Sequence, residues 1–335
     1  MQANKPLLLV VSLFVLFTAA QAQTGRKKAR TATKKATTVK TKTTVQNSNI
    51  AVLPAMNIPA DTIPVKQPVI SMEADYITGG NPVKPSMVLA YEPISEDDVA
   101  WRQRVWRDID VREKINLPFA YTAEEDNGNQ QFIYVLLNAL RNDPAVKAYN
   151  AIDDRFTTPL KRSELSDILV DKPEIVRVPD WKKDPTGNTF KDSIIRHDFN
   201  PARISRYRIK EDWVFDKKTS RLVVRILGIA PIEEINLQGE VIDKPLFWLY
   251  YPKLRNTLAG YEVYNAKNHG ARPTWEQVFE SRMFNSYIVK STMDNPRDLY
   301  LRDMPALKDN KLLQLWEGEN IKNKIFDYEQ NLWSH

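Results

Sequence analysis

Few residues of this 335-residue chain have the types and spacing of a catalytic or metal-binding site. Its three histidines are His197, His269 and His335, and none has a second histidine at metal-ligand spacing. The sequence has no cysteine, so zinc–thiolate sites and cysteine nucleophiles are excluded. It also lacks H-E-x-x-H, G-x-S-x-G, G-x-G-x-x-G and a phosphate-binding loop. We therefore predict that the chain is not an enzyme and binds no metal or cofactor.

The carboxylates leave one alternative open. Asp153-Asp154 and Glu233-Glu234 are adjacent pairs, which are usually solvated, whereas glycosidase pairs come from separate elements. The segment EEDNGN at 124–129 is similar to half of a calcium loop but lacks the bidentate acid, which favours a polar turn. The alternative is a periplasmic hydrolase with a carboxylate site that no motif marks.

Aromatic and basic residues alternate in WRQRVWRDIDVREKINLP, residues 101–118, a composition found on nucleic-acid surfaces. The apolar spacing predicts a helix here instead, opened by a capping box at Ser95 and Asp98. Within a helix the arginines would have acidic partners four residues away, leaving little charge for phosphate. Tryptophan and arginine are also frequent at the centres of protein interfaces. We therefore name Trp101, Arg104, Trp106 and Arg107 of this helix as candidate assembly contacts, the alternative being that both tryptophans are core.

The remaining patterns predict an α+β fold, with an antiparallel sheet packed with helices. Apolar residues at helical spacing indicate a helix from Phe132 to Leu140, and polar residues before a proline indicate helices after Asp143 and Thr158. A hairpin is predicted at about 212–230 and a third strand at about 245–251. Further helices are predicted from a capping box at Thr274 and Gln277 through Tyr287, and along 312–335.

The N-terminal region divides into three predicted segments before the folded body at 95–335. Residues 1–22 have the short apolar run and small-residue end of a secretory signal peptide, cleaved between Ala22 and Gln23. Residues 23–50 are polar and strongly basic, which predicts a disordered tail, either a solvated spacer or an arm attracted to an anionic surface. Residues 51–94 are rich in proline, which predicts an extended arm that is a linker or lies along a neighbouring subunit.

The positive charge belongs to the tail. The whole chain has a formal charge of +6, yet residues 23–60 contain eight lysines or arginines and no acidic residue. The body is therefore slightly acidic, which argues against a phosphate-binding face over the whole fold. Because no cysteine follows the signal peptide, no lipid can be attached there, and we expect a partner to hold the protein at a membrane.

Four stretches carry a resemblance to a known family. WRQRVWRDIDVREKINLP, YRIKEDWVFDKKTSRLVVRILGIAP, PLFWLYYPKLRNTLAGYEVYN and TWEQVFESRMFNSYIVK, with the closing ENIKNKIFDYEQNLW, resemble the GldN/PorN family over roughly residues 95–335. The polar residues of GYEVYNAKNHGARPTW depart from the family pattern.

The resemblance implies a non-enzymatic periplasmic subunit of the type IX secretion and gliding machinery. It implies self-association in a ring under the outer membrane with a lipoprotein of the GldK/PorK type, and contact with the periplasmic part of a GldM/PorM motor protein. No family contact residues are carried over. Taken alone, the residues indicate an exported α+β interaction protein, which leaves a soluble cargo-binding module as another alternative.

Overall fold

The structure is a computed structural model that describes most of the body and little of the N-terminal region. It covers residues 63–64, 87–122, 131–170, 174–179, 190–195, 199–237, 240–265, 267–268, 273–308 and 310–333. The predicted signal peptide with its cleavage site, the basic tail, the segment 124–129 and the three histidines lie outside the described residues.

An antiparallel sheet of seven strands organises the fold. The strands within the described residues are β1 (Val99–Asp110), β2 (Ala148–Asn150), β3 (Glu174–Pro179), β4 (Phe190–Ile195), β5 (Ile204–Asp216), β6 (Arg221–Leu237), β7 (Glu240–Pro245), β8 (Phe247–Tyr250) and β9 (Tyr287–Ser291). The main sheet has the order β2-β8-β6-β5-β1-β9, with β7 also paired to β6, while β3 and β4 form a separate hairpin. The helices are α1 (Phe132–Asn142), α2 (Arg162–Leu169), α3 (Tyr251–Leu258), α4 (Trp275–Glu280) and α5 (Lys311–Trp333). The predicted α+β class is confirmed.

The predicted hairpin is confirmed as β5 and β6, both longer than expected, and the predicted third strand as β8. The turn between β5 and β6 is closed by Asp216, whose carboxylate accepts hydrogen bonds from the Lys218 backbone N–H (2.9 Å) and the Thr219 hydroxyl (2.7 Å). Ser220 completes the reversal in the left-handed region, at a φ of 51°. A polar turn between two apolar strands is a local signal, which is why the sequence predicted it.

The predicted helix at 101–118 is wrong, because these residues form β1 and a following 3-10 segment at Lys114–Ala120. Val105 and Trp106 are adjacent and both buried, at 0% and 3% exposure, which a strand achieves by pointing them to opposite faces. Strand β1 has buried residues on both of its faces, so its sequence lacks the simple apolar–polar alternation of a half-exposed strand. The register with β9 shifts between Trp106 and Arg107 because Val289 of β9 has no partner on β1, so this irregularity lies in β9.

The other helix predictions had mixed outcomes. The helices at α1, α2 and α5 are confirmed. Asp143 begins a turn rather than a helix, because its carboxylate accepts a hydrogen bond from the Ala145 N–H at 2.8 Å. The capping box at Thr274 and Gln277 is confirmed, but α4 ends at Glu280 and Tyr287 begins β9.

The main core lies between the sheet and helices α1, α3 and α4. Tyr207 of β5 meets a cluster of aromatic rings that contact one another edge to face or tilted: Phe119, Phe132, Trp275 and Phe279. Ile63, from the predicted arm, is 3% exposed and belongs to this core. A second, smaller core joins α5 to β1 and β9 through Val105, Ile288, Leu301, Ile321 and Ile325. Within the described part of the chain, no helix combines the length and apolar character needed to cross a membrane.

Candidate interaction site

Strands β1 and β5 place charged residues face to face. Their register pairs Arg104 with Asp212, Asp108 with Arg208, and Asp110 with Arg206, and it sets Trp106 opposite Lys210. These eight residues occupy alternate positions, so their side chains share one face of the sheet, opposite to that of Tyr207 and Ile209. We call this set the charge ladder.

Two rungs of the charge ladder, Asp108–Arg208 and Arg104–Asp212, are closed ion pairs. Arg208 holds Asp108 through two hydrogen bonds of 2.7 and 2.8 Å, and the side chains are 2% and 0% exposed. Burial by itself would lower the pKa of Arg208, whereas its interactions with Asp108 raise it. The net pKa lies above its ordinary value, so the guanidinium stays charged. Arg104 donates to Asp212 at 2.7 Å, which raises the pKa of Arg104. The ladder therefore offers little free charge.

The end rung extends onto neighbouring strands. Arg206 donates to Glu234 of β6 and to Asp243 of β7, at 2.5 Å in each case. Arg112 donates to Asp110 at 2.6 Å and to Glu234 at 3.3 Å. Although burial raises the pKa of Asp110, the hydrogen bonds from Arg112 lower it below its usual range. The partners predicted four residues away are wrong, because the arginines pair with other carboxylates, most of them across the sheet.

Trp106 lies at the centre of the ladder among cations. Its indole N–H donates to Asp154 at 2.9 Å. The ammonium of Lys290 lies 4.3 Å and that of Lys210 lies 5.5 Å from the ring centroid, within cation–π range. Burial lowers the pKa of Lys210. Trp106 is only 3% exposed, so it has almost no surface to offer another protein.

The four candidate contacts lie on one strand but on two faces. Arg104 and Trp106 belong to the charge ladder, whereas Trp101 and Arg107 point to the other face. Trp101 is partly exposed and stacks on Tyr328 of α5, with centroids 4.8 Å apart. Arg107 donates to the Ser286 hydroxyl (2.9 Å) and carbonyl (3.0 Å), and burial lowers its pKa. Strand β1 therefore places these four residues on opposite faces of the sheet, whereas the predicted helix would have brought them together on one surface.

The adjacent carboxylates are occupied by contacts within the chain. Asp153 accepts hydrogen bonds from the backbone N–H groups of Arg155 and Thr157, at 3.0 and 3.2 Å, and the Thr157 hydroxyl lowers its pKa. Glu233 accepts a hydrogen bond from the Arg203 guanidinium at 2.5 Å. Asp154 and Glu234 have the partners given above. Among the described residues, no group of three or more histidine, aspartate or glutamate side chains is arranged to hold a metal ion. These contacts are those of structural carboxylates.

Sequence reasoning missed a contact between the arm and the body. The ring of Tyr91 lies between the guanidinium groups of Arg225 and Arg255, 4.0 and 3.9 Å from its centroid. Its hydroxyl donates to Glu280 of α4, which also accepts from Tyr251 at 3.0 Å. An isolated tyrosine before a proline gives no local signal of this role, because its partners come from β6, α3 and α4.

Comparison with known protein families places most of the body in one of them. A family model described as the gliding motility associated protein GldN matches residues 94–334, which include every described strand and helix of the body. No curated protein matches this chain.

Proposed function

This chain belongs to the GldN family of gliding-motility-associated proteins, and we propose that it is a non-enzymatic structural subunit of the gliding and type IX secretion machinery. The family match over residues 94–334 is the observation that carries this proposal. The charge ladder supports a structural role, because ion pairs that join neighbouring strands fix the register of the sheet.

The proposed assembly is a periplasmic ring built from copies of this chain and an outer-membrane lipoprotein of the GldK/PorK type. The lipoprotein provides the membrane attachment, since this sequence has no cysteine to carry a lipid. The ring contacts the periplasmic part of a GldM/PorM motor protein. Export by the predicted signal peptide places the protein in the periplasm.

On the body, we propose that Arg104, Arg107 and Trp101 contribute to assembly only through the parts of their side chains that remain exposed to solvent. The side chain of Arg104 is 31% exposed even though it is paired with Asp212. Trp106 contributes by holding β1 in place.

The predicted arm, 51–94, requires a more selective test than its deletion. Ile63 lies in the main core and Tyr91 is held between two arginines, so removing 51–93 would also damage the body. Deleting 23–62 spares both contacts. If residues 23–62, which precede Ile63, take part in assembly, this deletion reduces the size of the complex while the thermal unfolding of the body is unchanged. A full-size complex from this variant would contradict a role for 23–62.

The decisive experiment is to purify the complex from detergent-solubilised envelopes through a C-terminal tag on this chain. We expect a particle far larger than one chain that contains a lipoprotein and repeated copies of the tagged chain. An untagged strain is the matched control for carry-over. A lone monomer under gentle extraction would contradict the ring and favour a soluble cargo-binding module.

The hydrolase alternative makes a different prediction. It requires that single substitutions such as Asp153→Asn or Glu233→Gln abolish gliding and secretion while the complex stays intact. We expect Asp153→Asn to preserve both functions, because Asp153 only closes a turn.

A further inference from the structure

Residues 87–94, which precede the body, are attached to it through side chains. Among the described residues, no backbone hydrogen bond joins this segment to another part of the chain. The Tyr91 ring lies 4.0 and 3.9 Å from the guanidinium groups of Arg225 and Arg255, and its hydroxyl donates to Glu280. We call these three partners of Tyr91 the tyrosine socket. Because no strand pairing holds the segment, it can leave the socket without disrupting the sheet.

The same segment leaves two large apolar side chains in solvent. Met87 is 87% exposed and Leu89 is 74% exposed. They precede Tyr91 by four and two residues, so an extended chain directs all three side chains to the same side. Docking on its own body therefore seats Tyr91 but leaves the rest of that side uncovered.

Tyr91 and the tyrosine socket come from different parts of the chain. Tyr91 precedes β1, whereas the socket is built by β6, α3 and α4. Two guanidinium groups beside an aromatic ring and a carboxylate that accepts the phenolic hydrogen select a tyrosine. Every copy of the chain carries both the tyrosine and the socket, so a contact between the two in different copies is head-to-tail. Head-to-tail contacts are those that close a ring.

We propose that, in the assembled complex, Tyr91 of each copy docks into the tyrosine socket of the next copy. This inference rests on the proposed function, because it assigns a contact to the self-association of the chain. Exchange of an identical element replaces each contact with the same contact, so its cost is low. Ile63, buried in the main core, belongs to the same arm and moves with it, and the neighbour's Ile63 takes its place.

Residues 92–95 form the hinge of the exchanged arm. Glu92, Pro93 and Ser95 are exposed, so they are free to change direction. Four residues span at most about 14 Å, so copies that exchange arms lie in direct contact. Met87 and Leu89 are then enclosed between the two copies, which accounts for their exposure in a single chain.

The absence of cysteine from the sequence allows a cross-linking test in the mature chain, residues 23–335. Glu92 is exposed next to Tyr91, and Asn256 is exposed next to Arg255. The double variant E92C/N256C is purified in its complex and treated with a flexible thiol-reactive cross-linker. We expect covalent oligomers of this chain. An internal link that leaves the mass of a single chain would overturn the exchange.

The matched control is the same double variant carrying Tyr91→Ala, which removes the ring from the socket and keeps both cysteines. We expect most of the covalent oligomers to be lost. An equal yield with and without Tyr91 would mean that the cysteines of neighbouring copies meet for another reason, and would also overturn the proposal.

Co-expression of two differently tagged variants gives an independent test. Tyr91→Ala lacks the ring but keeps an intact socket, whereas Arg225→Ala keeps the ring but weakens the socket. With exchange, the ring of the Arg225→Ala chain reaches the intact socket of the other variant. Hydrogen exchange at residues 87–94 of that chain should then slow by about two- to fivefold relative to Arg225→Ala alone. Unchanged exchange in the mixed complex would contradict the proposal.

The outcomes distinguish this inference from the proposed function. A chain that is monomeric after gentle extraction contradicts the ring and the arm exchange together. A full-size complex in which the cross-link is internal contradicts the arm exchange alone.

Discussion

Arg208 of β5 and Asp108 of β1 form a two-bond ion pair sealed inside the fold, with side chains 2% and 0% exposed. The guanidinium also lies 4.7 Å from the ring centroid of Tyr300, which covers it. A slip of one residue between these strands would separate the two charges and leave both buried without partners. The pair therefore specifies the strand register as well as joining the strands.

Removing one member of this pair is expected to be costly. Asp108→Asn leaves Arg208 charged and poorly compensated, so we expect the free energy of unfolding to fall by about 3–5 kcal/mol. Urea denaturation measures the change. Replacing both residues, as D108L/R208M, should cost far less than the sum of the single substitutions. Additive losses would contradict the view that the pair acts as a unit.

The two tryptophans of β1 should respond differently to truncation. Trp106→Ala removes a buried ring together with its hydrogen bond to Asp154 and its contacts with two lysines. We therefore expect a loss of about 3–5 kcal/mol in unfolding free energy. Trp101→Ala removes a partly exposed ring stacked on Tyr328, with an expected loss of about 1 kcal/mol. Chemical denaturation of both variants tests this order. An equal loss at the two positions would contradict the assignment of Trp106 to the core.

Gly318 should be an exception to the rule that alanine stabilises helices. A Cβ at this position would lie 2.8 Å from the carbonyl oxygen of Ile288 in β9, so α5 would have to move off the sheet. We expect Gly318→Ala to destabilise the fold by about 1–3 kcal/mol. The matched control is Asn323→Ala on the exposed side of α5, expected to stabilise by about 0.5 kcal/mol. Thermal unfolding distinguishes the two, and stabilisation by Gly318→Ala would refute the close packing.

Tyr91 should hold the start of the body in place. Tyr91→Ala removes both cation–π contacts and the hydrogen bond to Glu280, whereas Tyr91→Phe keeps the ring between the arginines. We expect the alanine variant to lose about 1–2 kcal/mol and the phenylalanine variant less. Hydrogen exchange at residues 87–94 reports the change locally. Unaltered exchange in Tyr91→Ala would contradict this anchoring role.

The hairpin turn should contribute to acid sensitivity. Hydrogen bonds from Thr219 and Lys218 lower the pKa of Asp216 below its ordinary value of 3.8. A carboxylate with a lowered folded-state pKa adds stability above pH 3.8, and this contribution disappears as the pH falls through the folded value. Asp216→Asn should therefore be less stable than the native chain at pH 7, and the difference should shrink as the pH falls below 3.8. A difference that does not change with pH would rule out titration of Asp216 as the cause.

Local signals in the sequence determined several elements of this protein. The capping box at Thr274 and Gln277, the polar turn after Asp216 and the apolar spacing of α1 involve residues close in the chain, so their sequence predicts their structure. The family resemblance also rested on contiguous motifs, and the match over 94–334 bears it out.

Only the tertiary structure decided the roles of β1. The spacing of Val105, Trp106 and Ile109 fits one face of a helix, but β5 and β9 provide the hydrogen-bond partners that make this segment a strand. Arg104 and Asp108 then find their counterions on β5, about a hundred residues away in the chain. Helix propensity is a small local term, whereas strand pairing and burial of these charges depend on distant residues. The same reason left Tyr91 unrecognised, because the arginines and the glutamate that hold it come together only when the body folds.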